Sequence, residues 1–282
     1  MSRNQAKLTT KNKVLGAADS AFVKSDFKAS TLQIAKQARL AHGTIFFHFK
    51  NRDELVLSVI NRLILKITDS LYSAYKEADN LQEFLSIHFE TIQSNWQLFR
   101  ALVSGFSDFN DETKQEVITL LSVMNYYLVE AFNRWADHGL VRTVLWQSTM
   151  SYLSFFGDCM FEKKNISEEF IQALINFICD SLDKTKKGKR KVKDKIEEKR
   201  LCISCGMIFH SSDDFPMGDT SRKYCKYCAH EDGRIKSFDE VLDTVTDLIQ
   251  KKQGLKSEVA RTAAFVVLSK NPAWKEYIKK YY

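Results

Sequence analysis

Apolar and polar positions in the first quarter of the chain follow the period of amphipathic helices. In the first helix the apolar residues recur at the i, i+3, i+4, i+7, i+8 spacing of a single face: Val14, Ala17, Ala18, Ala21 and Phe22. Two short helices are predicted next, one starting at Ser30 or Thr31 and the other spanning 42–47. A long fourth helix begins after Asn51, which is a good capping residue.

The helical period continues to about residue 183. Residues 53–183 hold nineteen aromatic side chains, which can build a core, a pocket or a subunit interface. The sequence leaves these three uses open. Helices are predicted over 81–98, 112–137, 143–161 and 167–183, with a short segment near 100–108.

A lysine-rich run at 184–200 interrupts this pattern and has almost no apolar residues to bury. A cysteine-containing stretch and two or three further helices follow it, near 237–252, 257–269 and 272–280. With only two prolines and ten glycines, the chain is predicted to be mainly all-α. It divides into four predicted parts: 1–52, 53–183, the basic linker 184–200, and 201–282.

The net charge of +7 is distributed unevenly along the chain. Residues 1–52 carry ten Lys and Arg against two Asp, whereas residues 53–183 carry nine basic against nineteen acidic side chains. The linker carries ten basic against three acidic side chains. A basic end on an acidic body indicates a protein that contacts a polyanion with one end only.

Hydropathy and the N-terminal sequence indicate the cellular compartment of the protein. No stretch reaches the ~18 uninterrupted apolar residues of a membrane span, so no membrane partner is predicted. Residues 1–13 are polar and basic without the apolar region of a secretory signal. We therefore expect a cytoplasmic protein. In that reducing compartment, paired cysteines favour metal binding over disulfides.

Four cysteines near the C-terminus form a C-x2-C-x19-C-x2-C pattern: Cys202, Cys205, Cys225 and Cys228. Two such pairs about twenty residues apart can place four thiolates at the corners of a tetrahedron around Zn²⁺. Four thiolates leave no open coordination position, so the zinc is predicted to be structural.

Residues 31–55 have the pattern of a helix-turn-helix, with Ala35 where the helices cross and Leu40 in the turn. The segment resembles the TetR family of bacterial transcriptional regulators, whose DNA-binding domain ends in a GT-[LI]-[YF]-x-x-F stretch before a polar cap and a fourth helix. The residues that match this stretch are Gly43, Thr44, Ile45, Phe46 and Phe49. The resemblance covers roughly residues 8–60 and implies an N-terminal three-helix DNA-binding domain on a helical ligand-binding and dimerisation body.

The resemblance implies DNA contacts at particular positions. His42 is the candidate for a base contact, and the other candidates face the sugar-phosphate backbone: Thr31, Thr44, Phe46, His48, Lys50 and Arg52. Arg39 replaces the usual turn glycine and Ala41 the usual Ser or Thr cap. We therefore expect a non-glycine residue with positive φ in the turn, and an uncapped recognition helix.

Residues 201–275 resemble a zinc-ribbon family with C-x-x-C-G-M and Y-C-x-Y-C motifs, matched by Gly206, Met207, Tyr224 and Tyr227 beside the cysteines. The expected cofactor is Zn²⁺. Such ribbons bind nucleic acid or proteins, so a protein partner is one interpretation. A structural appendage is at least as well supported by the sequence.

The TetR resemblance implies a homodimer that binds double-stranded DNA and an unknown small-molecule effector. His88, Trp96, Tyr126 and Trp135 are the candidates for an effector pocket, although core packing is the simpler interpretation of each ring taken singly. Two helices supply the implied dimer interface, with Trp146, Leu153 and Phe156 on the first and Phe170, Leu174, Phe177 and Ile178 on the second.

The predicted function is a DNA-binding transcriptional regulator, a ligand-responsive repressor that binds a palindromic operator. One alternative is a zinc- or redox-responsive regulator, and another is a protein-interaction module. We predict no enzyme, because the sequence has no Ser/His/Asp set, glycine-rich phosphate loop or open metal site. The lysine run at 184–200 is interpreted as a tether, a second contact with DNA or a nuclear signal, and the tether is favoured.

Overall fold

The computed structural model describes residues 3–135, 168–183 and 200–279. Within these residues the chain is helical, which confirms the predicted fold class, and isolated bridges pair Leu201 with Ile208 and Ala229 with Ile235. The helices are α1 (Arg3–Ser25), α2 (Thr31–Ala38), α3 (His42–His48), α4 (Arg52–Glu77), α5 (Leu81–Ser94), α6 (Trp96–Gly105), α7 (Asp111–Trp135), α8 (Glu168–Asp183), α9 (Phe238–Gln253), α10 (Ser257–Leu268) and α11 (Lys275–Ile278).

Two differences separate these helices from the predicted ones, and one predicted helix is untested. The helix expected over 81–98 is two helices, because the chain breaks at Asn95 between α5 and α6. The last predicted helix is a 3₁₀ turn, Pro272–Trp274, followed by the four-residue α11. The helix predicted over 143–161 lies outside the described residues, as do its candidate interface residues Trp146, Leu153 and Phe156.

Helices α1 to α3 form the small N-terminal unit, whose apolar faces meet in one core. Ile34 and Ala35 of α2 and Ile45 of α3 are buried there with Phe49. Ser30 is the N-cap of α2: it accepts a hydrogen bond from the Gln33 amide at 3.2 Å. The Ser30 cap thus stabilises α2, and the shared core holds both short helices.

The turn between α2 and α3 has both features expected from Arg39 and Ala41, a positive φ and an uncapped helix start. Arg39 adopts φ 53, the left-handed conformation that a glycine would adopt without steric cost. Ala41 precedes α3 without a side-chain hydrogen bond to its first turn. The turn therefore forms without either residue that usually stabilises it.

Helix α4 is the long connector between this unit and the rest of the chain. Its buried stripe contains the apolar residues that the sequence predicts: Leu55, Val59, Leu63 and Ile67. Asn51 caps it by accepting from the Glu54 amide at 2.8 Å. In the first half of α4, Arg62 pairs with Asp19 of α1. The helix also contacts α5 and α7.

Helix α6 makes a second contact with the N-terminal unit. Arg100 donates to the Val23 carbonyl at 3.1 Å and lies 3.2 Å from the Asp26 carboxylate. A Cβ added at Gly105 would lie 2.8 Å from the Asp26 carbonyl oxygen, so the end of α6 and the α1–α2 loop are in close contact. The N-terminal unit is therefore held by α4 and α6 together.

The C-terminal part packs on the helical body. Helices α9 and α10 pair with each other, and α10 lies against α7 and α4. Lys270, just beyond α10, pairs with Asp69 of α4 at 2.6 Å, and Gln253 at the end of α9 donates to the Ser122 carbonyl of α7 at 3.3 Å. Most of the predicted linker lies outside the described residues, and the four-part division of the chain stays a prediction.

The cap of α4 gives a first prediction. Replacing Asn51 with Ala removes the side-chain acceptor of the Glu54 amide, so the free energy of unfolding should fall by about 1 kcal/mol. Asn61→Ala is the matched control, because Asn61 is exposed in the middle of the same helix. Urea unfolding followed by circular dichroism measures both. Equal effects of the two substitutions would show that the cap does not stabilise α4.

Candidate nucleic-acid interface and metal centre

The structure brings the four predicted zinc ligands together. The ligand atoms of Cys202, Cys205, Cys225 and Cys228 all lie within 4.8 Å of one another. The sulfurs of Cys205 and Cys225 are 3.7 Å apart. Four thiolates at ~2.3 Å from a central Zn²⁺ lie about 3.8 Å from one another, so the cluster fits a tetrahedral zinc ion.

The backbone around the first cysteine pair has the conformation that a metal knuckle needs. The Gly206 amide donates to the Cys202 carbonyl at 2.9 Å, and Gly206 has φ +81. The Cys225 amide donates to the Cys202 sulfur at 3.2 Å. Hydrogen bonds from the Cys205, Cys225 and Cys228 side chains hold the pKa of the Cys202 thiol below its usual range. These hydrogen bonds favour a thiolate at Cys202.

The end of the chain holds this knuckle in place. The carbonyl of the fully buried Ser204 accepts from the Asn271 amide group at 3.0 Å and from the Trp274 indole at 2.7 Å. The Ala273 amide donates to the Ile203 carbonyl at 3.0 Å. A zinc ion bound to the four cysteines would supply a cross-link between the two knuckles. The C-terminal turn would then be fixed to that cross-link through the backbone.

The candidate DNA-contacting residues cluster around α3. His42 is exposed at the start of this helix, and its Nε2 lies 3.0 Å from the Thr31 hydroxyl at the start of α2. The ring of Phe46, one turn later, packs edge-on against the His42 ring at 5.1 Å. The first residues of α2 and α3 therefore form one continuous surface, and Thr44 extends it.

Basic residues of α1 border this surface. The Lys7 ammonium lies 5.1 Å from the ring centre of Phe47, and that of Lys11 lies 5.6 Å from Phe49. Partial burial, together with these two lysines, lowers the pKa of His48, which favours a neutral imidazole near pH 7. The sequence reasoning did not assign Lys7 and Lys11 to the site. Their spacing of four residues on one helix face was the available signal.

Lys50 and Arg52 differ in what they contact. Lys50 is exposed in the loop before α4, where its backbone amide donates to Glu54. The Arg52 guanidinium instead donates to the carbonyls of Phe27 and Ala29, in the loop before α2. Arg52 thus joins the start of α4 to the start of α2.

The four candidate effector-pocket residues occupy different environments. His88 is buried between Phe84 and Phe89, and Trp135 also packs against Phe84. Trp96 is half-buried at the start of α6. Tyr126 alone of the four lines a cavity of about 280 Å³ between the helical body and the first cysteine knuckle. The sequence did not reveal this cavity, because its two walls are more than seventy residues apart along the chain.

Known proteins resemble both ends of the chain. The family of bacterial regulatory proteins named tetR matches residues 14–59, and a family of zinc ribbon domains matches residues 201–275. The HTH-type transcriptional regulator QacR of Staphylococcus aureus strain Mu50 is 33% identical over 55 residues, 19% of this chain. The chain spans only 29% of the length of QacR.

Solved structures resemble the helical part. The fatty acid degradation regulator FadR of Bacillus halodurans has a TM-score of 0.50 at 17% identity, over 61% of this chain and 94% of FadR. The superantigen PfiT has a TM-score of 0.51 at 17% identity, over 61% of this chain and 95% of PfiT. At these identities the likeness shows the fold alone.

The helix-turn-helix and the tetR match at residues 14–59 identify an N-terminal DNA-binding domain of the TetR type, which is joined to a helical body. The four-cysteine cluster and the match at residues 201–275 identify a C-terminal zinc ribbon domain. Both predicted resemblances are confirmed. In the part of the chain that the structure describes, no helix combines the length and apolar character needed to cross a membrane.

The metal centre gives a second prediction. Cys228→Ser replaces one thiolate of the four, so purified protein should retain much less zinc than the wild type. Cys179→Ser is the matched control because Cys179 lies in α8, outside the cluster, and it should keep one zinc per chain. Elemental analysis by mass spectrometry after dialysis measures the zinc content. Equal zinc in both variants would exclude the four-cysteine site.

Buried His88 gives a prediction about pH. Burial lowers its pKa to about 4, whereas an exposed histidine has a pKa of 6.5, so only the unfolded chain binds this proton between those values. The folded state should therefore lose stability as the pH falls from about 6.5 towards 4. His88→Leu should remove that part of the loss. Urea midpoints at about pH 7.5 and about pH 5 measure it, and an unchanged difference would contradict the prediction.

Proposed function

We propose that this protein is a transcriptional repressor that binds a palindromic operator as a homodimer and is released by a small-molecule effector. The observation that carries the proposal is the helix-turn-helix, in which α3 presents an exposed His42 and Phe46 beside a basic α1. Recognition helices of this kind enter the major groove with their first residues at the base edges. QacR, which the N-terminal part resembles, is named as a transcriptional regulator.

In this proposal the residues around α3 divide between base and backbone contacts. His42 lies at the start of the helix and reaches the base edges, while Thr31, Thr44, Phe46 and His48 face the backbone. Lys50 provides an ammonium for phosphate. Arg52 stays a predicted phosphate contact, and its bonds to the Phe27 and Ala29 carbonyls give it a second role in orienting α2.

We infer dimerisation from the resemblance to TetR-family regulators. Two recognition helices must reach major grooves ~34–36 Å apart, so a palindromic operator requires two copies of the chain. We assign the dimer interface to the region of 143–183, most of which lies outside the described residues. On α8, Ile178 is buried within its own chain and Leu174 is half-buried, which leaves the outer face of that helix for the partner copy.

Effector response requires a connection between the body and the DNA-binding unit. Helices α4 and α6 provide it through the Arg62–Asp19 and Arg100–Asp26 ion pairs and the close contact at Gly105. A small tilt of either helix would change the spacing of the two recognition helices in a dimer. The predicted effector contacts stay His88, Trp96, Tyr126 and Trp135. Of these four, Tyr126 lines the cavity next to the first cysteine knuckle.

The zinc ribbon has an intramolecular role in this proposal. Its helix α10 packs on α7 and α4, so loss of zinc would disturb the face of the body that the ribbon covers. This contact supports zinc-dependent stability of the repressor. A protein partner of the ribbon stays a prediction. The proposed function involves no enzymatic step and places the protein in the cytoplasm.

The test is a binding selection with purified full-length protein on fragments of its own genome, with and without a zinc chelator. Enrichment of a short palindrome would support the repressor. Loss of that enrichment on chelation would show that the ribbon maintains the DNA-binding state. No enrichment in either condition would exclude operator binding.

The Lys50 side chain gives a quantitative prediction on the selected DNA. Lys50→Met removes one phosphate contact from each subunit, two per dimer, so the slope of log K against log salt should become shallower by about 1.8. Lys252→Met is the matched control, since Lys252 is exposed at the end of α9, and it should leave the slope unchanged. Fluorescence anisotropy over a range of salt concentrations measures both. An unchanged slope for Lys50→Met would remove Lys50 from the interface.

A further inference from the structure

Helix α1 begins well before the core that it helps to build. Its first buried residue is Val14, whereas residues 5–13 are exposed apart from the half-buried Thr10. The residues that match the tetR family also begin at position 14. Residues 3–13, which we call the α1 extension, add about three turns of helix to the N-terminal unit. Packing of the core does not explain these turns.

The α1 extension carries lysines on the face that is buried further along the helix. Four residues follow the i, i+4, i+7, i+11 spacing of a single helix face: Lys7, Lys11, Val14 and Ala18. Val14 and Ala18 are fully buried in the core of the N-terminal unit. Lys7 and Lys11 continue this line beyond the core, so the same face of α1 changes from apolar to cationic.

The two lysines lie beside the last turn of α3. The Lys7 ammonium is 5.1 Å from the ring centre of Phe47, and the Lys11 ammonium is 5.6 Å from that of Phe49. Partial burial, and after it the charges of these two lysines, lower the pKa of His48, which stands between the two phenylalanines in the sequence. The α1 extension therefore runs alongside the helix that the proposed function places in the major groove.

The positive charge of the α1 extension is not offset within the chain. The first acidic residue of the sequence is Asp19, and α1 has none in its first turn, where a negative side chain would suit the helix dipole. Within the described residues, Lys7, Lys11 and Lys13 form no ion pair. Lys7 and Lys11 are one turn apart and repel each other. An external anion beside both ammonium groups would stabilise the extension.

We propose that the α1 extension binds the phosphate backbone of double-stranded DNA at the edge of the groove that α3 enters, with one phosphate for Lys7 and one for Lys11. The position of both ammonium groups beside α3 selects DNA phosphates among the possible anions. Ammonium groups contact phosphates without reading bases, so this contact raises the affinity for every sequence alike. The inference rests on the proposed function, because that function places DNA against α3.

The salt dependence of DNA binding by purified full-length protein tests the two contacts. Lys7→Met and Lys11→Met each remove two phosphate contacts per dimer, so each should make the slope of log K against log salt shallower by about 1.8. Lys13→Met is the matched control, because Lys13 is exposed on the other side of the same turns, and its effect should stay below about 0.9. Equal changes in all three variants, or unchanged slopes for Lys7→Met and Lys11→Met, would overturn the proposal.

Two duplexes of equal length, the selected operator and an unrelated sequence, separate this proposal from the proposed function. The change in slope should be the same on both duplexes, and the ratio of the two affinities should stay within about twofold of that of the wild type. A loss confined to the operator would overturn a backbone contact. If the wild type prefers neither duplex, operator binding fails, while the slopes on the unrelated duplex still decide whether the α1 extension contacts phosphates.

Amide hydrogen exchange locates the contact on the chain. Without DNA, the amides of residues 5–13 should exchange rapidly, because no buried side chain holds these turns. Saturating duplex DNA should slow their exchange in the wild type and less so in Lys7→Met, whereas the amides of α9 serve as the reference and should not change. Unchanged exchange of residues 5–13 in the DNA complex of the wild type would overturn the proposal.

Discussion

The continuity of α4 is the constraint on which the rest of the structure depends. Its 26 residues span about 39 Å without a break, from the Asn51 cap to the tyrosines at the far end. Near its start it contacts α1 and the loop before α2, and near its end it contacts α7 and the ribbon. Among the described residues, the other contacts between the DNA-binding unit and the body come from α6 and the segment after it, where Asp108 pairs with Lys28 at 3.5 Å and the Phe109 ring packs against Phe27 at 5.3 Å.

The metal centre depends on its surroundings as much as on its four sulfurs. The Ser204 carbonyl, inside the first knuckle, is bonded to Asn271 and Trp274 from the other end of the ribbon. The Tyr126 hydroxyl approaches the Cys205 carbonyl from the body. The conformation of the knuckle is therefore set from two sides. A change on either side reaches the four cysteines through the backbone.

Local patterns in the sequence predicted the individual helices, whereas their packing depends on contacts between residues far apart in the chain. Spacing and capping identified α2, α3 and α4, and the missing turn glycine predicted the left-handed Arg39. The break at Asn95 was missed, because apolar spacing continues across it. The cysteines were found from their spacing. The cavity at Tyr126 was not found, since nothing local shows that the first cysteine knuckle packs against the helical body there.

The packing of α10 on α7 constrains how the sequence of such a chain can evolve. Small residues of α10, among them Ala260, Ala263 and Ala264, are buried and let its backbone lie close to its neighbours. A larger side chain on the facing surface of α7 therefore needs a compensating change some 140 residues later. The ribbon cannot be exchanged between relatives as an independent module, and the two surfaces must be inherited as a pair.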